Sequence, residues 1–370
     1  MINVTKTYLP DKKKYLAYVD KIYASGWVTN NGPLVRELEE RLAEHLGVNN
    51  LVLVANGTIA LEIAYRLLKL KGEVITTPFS FVATTSSLVS NGLQPVFADI
   101  DPASFNINPE NIAGAVSPST SAIVPVHVFG NSCDVDEICK IASRYQLKVI
   151  YDAAHAFGVK YKGESILRHG DVSTLSFHAT KQFHTIEGGA LVINDDTLVQ
   201  EARYLINFGI DGPDSVKALG TNAKMNEFEA AMGLCILDDM GVLHQRREEL
   251  FEIYKLSLSE HIQCQVLNSA CTKNYGYFPV LFENESQTLQ VKTALNEAEI
   301  FPRRYFFPSL DTLGYLKTKQ VMPFSRDVAS RVLCLPIYPE LKKTEQKIIC
   351  DVIKRIIDKG RRILSAHNSE

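Results

Sequence analysis

Residues 148–194 read KVIYDAAHAFGVKYKGESILRHGDVSTLSFHATKQFHTIEGGALVIN, and three short apolar runs inside them decide the fold. Lys148–Asp152, Ser173–Phe177 and Ala190–Asn194 have the length and the Val, Ile and Leu content of strands buried on both faces. An aspartate ends the first run, and a lysine, Lys181, lies between the second and the third. Working towards the N-terminus, similar runs occur at Leu51–Ala55, Val74–Thr77, Pro95–Asp99 and Ala122–Val126. Between them Ala60, Ile63, Ala64 and Leu67 fall at helical spacing, as do Ile138, Ile141 and Ala142 after Asp134. Strands alternating with helices predict an α/β large domain built on a mostly parallel seven-stranded sheet.

Beyond residue 225 the pattern changes. A long helical stretch from Asn226 to about Tyr254 precedes sparser strands at Tyr277–Phe282 and Val332–Leu335 and a charged terminal helix at Thr344–Ile363. This predicts a smaller α+β C-terminal domain. The boundaries drawn from the sequence are an irregular N-terminal arm over 1–35, carrying SGWVTNNGP, a large domain over 36–240 and a small one over 241–370.

Composition narrows the function. Of 370 residues 46% are hydrophobic and 22% charged, with a net charge of −3, as in an ordinary soluble enzyme. No overall basic field is present to attract nucleic acid or anionic lipid. Seven cysteines are scattered without a C-x-x-C pair, which argues against a disulfide framework or a metal site and suits the reducing cytoplasm. The polar start MINVTKTYLPDKKKYL carries no signal-like core, and no run approaches the roughly 18 apolar residues that span a bilayer.

Three features fall where open α/β sheets bind ligands, beyond the carboxyl ends of strands. Asn56-Gly57-Thr58 follows a strand and opens a helix: Gly57 admits close backbone approach, and the helix start and the Thr58 hydroxyl can donate to an anion. An ordinary helix cap explains it equally well. Asp152, desolvated at a strand tip, needs a cationic partner to stay charged, and His155 stands three residues on. A turn cap and a packing histidine are the plain alternatives. Lys181 lies among aromatic and small residues rather than charges, followed by Gly188-Gly189; a lysine so placed can lose its proton and form a Schiff base. Ser176 is a second candidate phosphate donor, and His127 in VPVHVFGN reads as a packed strand-end histidine.

Taken in order, the blocks SGWVTNNGP, ANGTIALEIA, FSFVATTSSLV, YDAAHAFG, SFHATK with EGGALV, GTNAKMNEFEAAMG, RRYFFPSL and LCLPIYP closely resemble the DegT/DnrJ-type sugar aminotransferases over essentially the whole chain. The resemblance implies a fold-type-I pyridoxal phosphate (PLP) transferase. It implies that Lys181 carries the cofactor and shuttles protons, that Asp152 partners the pyridine nitrogen and that His155 contacts the ring oxygen or packs beneath the ring. It implies too that Phe81 stacks on the ring face, that Gly57, Thr58 and Ser176 hold the phosphate, and that Asn222 reaches the phosphate of a neighbouring subunit, which would make a homodimer. Thr29, Asn30, His184, Arg303, Arg304 and Tyr305 are implied substrate-side residues, with one of the two arginines facing the sugar diphosphate. The implied reaction takes an amino group from glutamate to a nucleotide-linked 4-keto-6-deoxyhexose, dTDP-4-keto-6-deoxyglucose being the best match, for surface polysaccharide or a glycosylated natural product. The EGG segment, Glu187-Gly188-Gly189, resembles the C-4 group of the family. C-3 amination, a GDP or UDP sugar, and a non-catalytic sugar-nucleotide sensor are the alternatives; a dehydratase of this fold carries histidine where Lys181 stands.

Overall fold

The computed structural model describes the backbone of residues 1–367, with side chains through Lys359. Seven strands form the central sheet: β1 (Leu51–Val54), β2 (Glu73–Thr76), β3 (Gln94–Phe97), β4 (Thr120–Val124), β5 (Lys148–Asp152), β6 (Val172–Ser176) and β7 (Gly189–Ile193). Their order is β1-β7-β6-β5-β4-β2-β3. β7 runs antiparallel to both its neighbours, and every other pairing is parallel. All seven sequence runs are strands; Lys148–Asp152 matches at both ends, and the other six are displaced by one or two residues. The near-continuous apolar composition follows from burial on both faces, and one core cluster lies on each side of the sheet.

Helices α1 (Lys12–Ser25) and α2 (Pro33–Leu46) precede the sheet; α3 (Gly57–Leu67), α4 (Ala83–Ser90) and α5 (Val135–Tyr145) follow β1, β2 and β4. The sequence reading of 1–35 as irregular is corrected here: α1 and the start of α2 lie within it, and the residues outside regular structure are those just before α1 and those between α1 and α2. α1 was missed because it is a surface helix with a single buried residue, Ile22, and so shows little apolar periodicity. Polar contacts seat it: Lys14 Nζ lies 2.9 Å from Asp238, and the Tyr15 hydroxyl donates to the Phe228 carbonyl at 3.4 Å.

Helix α6 (Glu227–Leu258) starts at a reciprocal cap, with Glu229 N–H donating to the Asn226 side chain at 3.0 Å and Asn226 N–H to the Glu229 carboxylate at 3.2 Å. Glu227, 1% exposed, accepts from Leu34 N–H at 2.8 Å and Val35 N–H at 3.0 Å, so the first residue of α6 caps α2. The first half of α6 packs into the large-sheet core through Ala230, Leu234, Leu237 and Met240. Its second half packs through Leu250, Tyr254 and Leu258 against β8 (Phe278–Leu281), β9 (Val332–Leu335) and α7 (Lys343–His367). One rigid helix thus serves both cores. Ile2–Asn3 joins the C-terminal part by pairing in parallel with Ile300–Phe301. All seven cysteines are free thiols, and among the described residues no helix is long and apolar enough to cross a membrane.

Candidate active site

The carboxyl ends of β1, β5 and β6 meet at one edge of the sheet. Register does this: Gly189 of β7 pairs with Val54 on one side and Ser176 on the other, while Asp152 pairs with Thr174. The Asn56-Gly57 backbone then crosses directly over Gly189. A Cβ on Gly189 would stand 2.6 Å from the Asn56 carbonyl carbon, and one on Gly57 would stand 2.8 Å from Ser176 Cβ. Only glycine fits either position. The Asn56 side chain accepts from Ile59 N–H at 2.9 Å, capping α3, while Gly57 and Thr58 N–H belong to the first helical turn and have no intrahelical acceptor.

These groups border a cavity of about 340 Å³ whose lining includes Gly57, Thr58, Phe81, Asp152, His155, Ser176, Lys181, Arg303 and Tyr305. Phe81 is 57% exposed, too open for a core phenylalanine, and presents an aromatic face to the cavity. Asp152 is 6% exposed; it accepts from Thr84 Oγ1 at 2.8 Å and Ala154 N–H at 3.1 Å. Burial raises its pKa despite those bonds and the opposing charge of Lys181. His155 is buried, its ring nearly parallel to those of Phe129 and Phe306 in a three-ring cluster. Its Nδ1 accepts from Phe129 N–H at 3.3 Å, which puts the ring proton on Nε2, and burial holds the ring neutral.

Lys181 sits in the hairpin between β6 and β7, whose base is closed by Phe177 N–H to the Gly188 carbonyl at 2.8 Å. The side chain as a whole is half-buried, but its amine is screened from water. Desolvation pushes its pKa down to about 8, only partly opposed by the Asp152 charge. Its Nζ donates to the Tyr277 hydroxyl at 3.2 Å. The cavity thus brings together anion donors, a carboxylate in no ion pair, an exposed aromatic ring and a titratable amine. That set suits a flat molecule bearing an anionic arm, a cationic ring and a carbonyl.

The remaining sequence candidates divide. Arg303 and Tyr305 reach the cavity, whereas Arg304 turns away to Glu285 at 2.7 Å and to the Ser330 carbonyl at 2.9 Å. His184 is also corrected as a substrate contact: it is 1% exposed, with Nε2 on the Tyr8 carbonyl at 2.8 Å and Nδ1 accepting from Ile186 N–H at 3.2 Å. Thr29, Asn30 and Asn222 do not line the cavity of their own chain; Asn30 borders a separate cavity of about 320 Å³, and Asn222 is exposed beside Asn207. His127 is fully buried, stacked on Tyr151 at 4.7 Å. The sequence reading missed Thr84 and Tyr277, which have no motif of their own and reach the site only through packing.

The depressed lysine pKa has a consequence for stability. Below about pH 8 the folded chain carries a charged amine held out of water, whereas the unfolded lysine titrates near 10.5. The unfolded state therefore binds more protons between those values, and stability rises with pH across that window. Cofactor-free Lys181→Met should melt above the wild type at about pH 7, with the gap closing as pH approaches 10.5. Thermal denaturation at several pH values checks this; a gap that does not change with pH contradicts it.

The comparisons with known proteins agree with this geometry. A family model described as the DegT/DnrJ/EryC1/StrS aminotransferase family matches residues 10–354. A dTDP-4-amino-4,6-dideoxy-D-glucose transaminase of Shigella dysenteriae is 44% identical, over 96% of this chain and 99% of the relative. One of Escherichia coli with the same name is 39% identical, over 97% and 98%. The crystal structure of DesI in the presence of its TDP-sugar product superposes with a TM-score of 0.92 at 34% identity, covering 99% of this chain and 95% of the other. With the site at the strand ends and the match running almost end to end, the chain belongs to the DegT/DnrJ/EryC1/StrS aminotransferase family.

Proposed function

We propose that this enzyme moves the amino group of glutamate onto C-4 of dTDP-4-keto-6-deoxyglucose, giving the nucleotide-linked 4-amino-4,6-dideoxy sugar. The observation that carries the reading is the desolvated Lys181 amine standing in one cavity with an anion cradle and an unpaired buried carboxylate. The two dTDP-sugar transaminases that it resembles support the nucleotide and the ring position.

The cofactor is pyridoxal phosphate, and the residues present fit it. The glycine-lined approach of Gly57 to Ser176, with the first-turn N–H groups and Thr58, suits its phosphate. Asp152, without a protein cation, suits its ring nitrogen; His155, with its proton on Nε2, suits the ring oxygen, and Phe81 the ring face. Bound there, it supplies an aldehyde that carries the amino group and a conjugated ring that takes up electrons from the substrate carbon. Lys181, whose lowered pKa lets its amine give up a proton near pH 8, removes a proton from the donor's α-carbon and later delivers one to C-4 of the sugar from a single side. Arg303 at the cavity edge suits the sugar diphosphate, since a guanidinium gives paired hydrogen bonds to phosphate.

A homodimer with shared sites completes the reading. Its support is that Asn222, Thr29 and Asn30 lie away from their own cavity, where a neighbouring chain could use them. We place the enzyme in the cytoplasm, which suits seven free thiols, and its product upstream of a sugar transfer that builds surface polysaccharide.

Turnover with a panel of nucleotide-linked keto-sugars, the product read by NMR, should give nitrogen at C-4 and fastest reaction with the dTDP sugar; nitrogen at C-3, or preference for a GDP or UDP sugar, overturns the substrate assignment. Lys181→Ala should lower turnover by roughly 10²–10⁴-fold. Asp152→Asn should lose roughly 10–100-fold, the worth of about 1.5–3 kcal/mol for a hydrogen bond to a charged group; unchanged turnover would remove that role. Sedimentation of the loaded enzyme at assay concentration should show a dimer, and an active monomer rules out shared sites.

A further inference from the structure

Tyr277 comes from the C-terminal part of the molecule, one residue before β8, and reaches across to the amine of Lys181. Its ring is held on three sides. His155 lies 4.8 Å away at 59°, Phe129 5.3 Å at 44° and Tyr305 6.3 Å at 81° between ring planes. His155 and Phe129 are in turn stacked on Phe306 at 5.5 Å. The hydroxyl therefore has little freedom to follow the lysine, and the lysine must come to it. Burial pushes the phenol's pKa up, so the group is neutral.

We propose that Tyr277 is the positioning residue of Lys181: its hydroxyl anchors the free amine at one point of the cavity wall, in line for both proton transfers. The proposal rests on the reading of Lys181 as the proton carrier. A lysine has a flexible four-carbon stem and needs an anchor if it is to deliver a proton to one face of a carbon. A carboxylate in the place of this hydroxyl would also anchor it, but would keep it protonated by opposite charge. A neutral phenol fixes direction and leaves the amine free to give up its proton. The other titratable or charged groups around it are Asp152 at the end of β5, His155 beyond it, His178 and Glu187 on the hairpin, Arg303 and Tyr305 at the cavity, and Arg247 and Cys334 near the phenol. Replacing a neutral phenol by phenylalanine changes the charge of none of them.

Tyr277→Phe keeps the ring contacts and removes only the anchor. In the loaded enzyme its kcat should fall about tenfold, a modest misplacement of the amine, with KM for the keto-sugar unchanged. In the cofactor-free protein, the pH midpoint for reaction of Lys181 with trinitrobenzenesulfonate, read by peptide mass, should move down because the ammonium loses its acceptor. Tyr277→Leu, which also removes the ring, should lower kcat to the same degree if the hydroxyl carries the effect. An unmoved midpoint in Tyr277→Phe, or a loss seen only in Tyr277→Leu, overturns the proposal. Full turnover in Lys181→Ala would instead remove the reading on which it rests.

Discussion

Everything at this site depends on three backbones meeting without side chains between them. β7 lies between β1 and β6, and Gly189 lets the Asn56-Gly57 turn cross it, while Gly57 in turn touches Ser176. A methyl group at either glycine would force the turn away from the sheet and open the anion cradle. The cost of such closeness is the loss of packing side chains in a strand, and the two core clusters on either face of the sheet offset it. The cradle is thus a property of strand register before it is a property of any polar residue.

The charges are arranged with similar economy. Asp152 and Lys181 are each held out of water, each feels the other's opposite charge, and neither is in an ion pair among the described residues. Other buried charges are met in different ways: Glu39 takes Arg203 in two hydrogen bonds, Asp99 accepts from the Phe324 and Ser325 N–H groups, and Arg247 donates to the Ile337 carbonyl. Buried charge left without a partner is costly, and a ligand that supplies the missing one recovers that cost on binding. The site gathers two such groups in one cavity.

Most of the fold was legible from the chain because buried parallel strands are apolar throughout and short. Ends were misread by a residue or two, as expected where the apolar run outlasts the hydrogen-bonded ladder. α1 escaped because Lys12–Ser25 buries only Ile22 and is held by ion pairs that have no periodicity. At the site, Lys181, Asp152 and Gly57 were visible as local patterns at strand ends. The side of the chain that Arg303 and Arg304 each face was not, since it depends on the Glu285 carboxylate and Ser330 carbonyl, far along the sequence. His184 misled for the same reason: its closeness to Lys181 in sequence says nothing of the Tyr8 carbonyl that occupies it.

The place of β7 also bears on how the chain is assembled during synthesis. β1 lies at the edge of the sheet, and β7 is its only neighbour there. On a ribosome adding about 5–20 residues per second, β1 waits on the order of ten seconds for the strand that will hold it. The anion cradle and the lysine hairpin are then completed in the same event, since the hairpin is the connection that brings β7 into place. A nascent chain therefore has no complete cradle until the hairpin that carries Lys181 has closed.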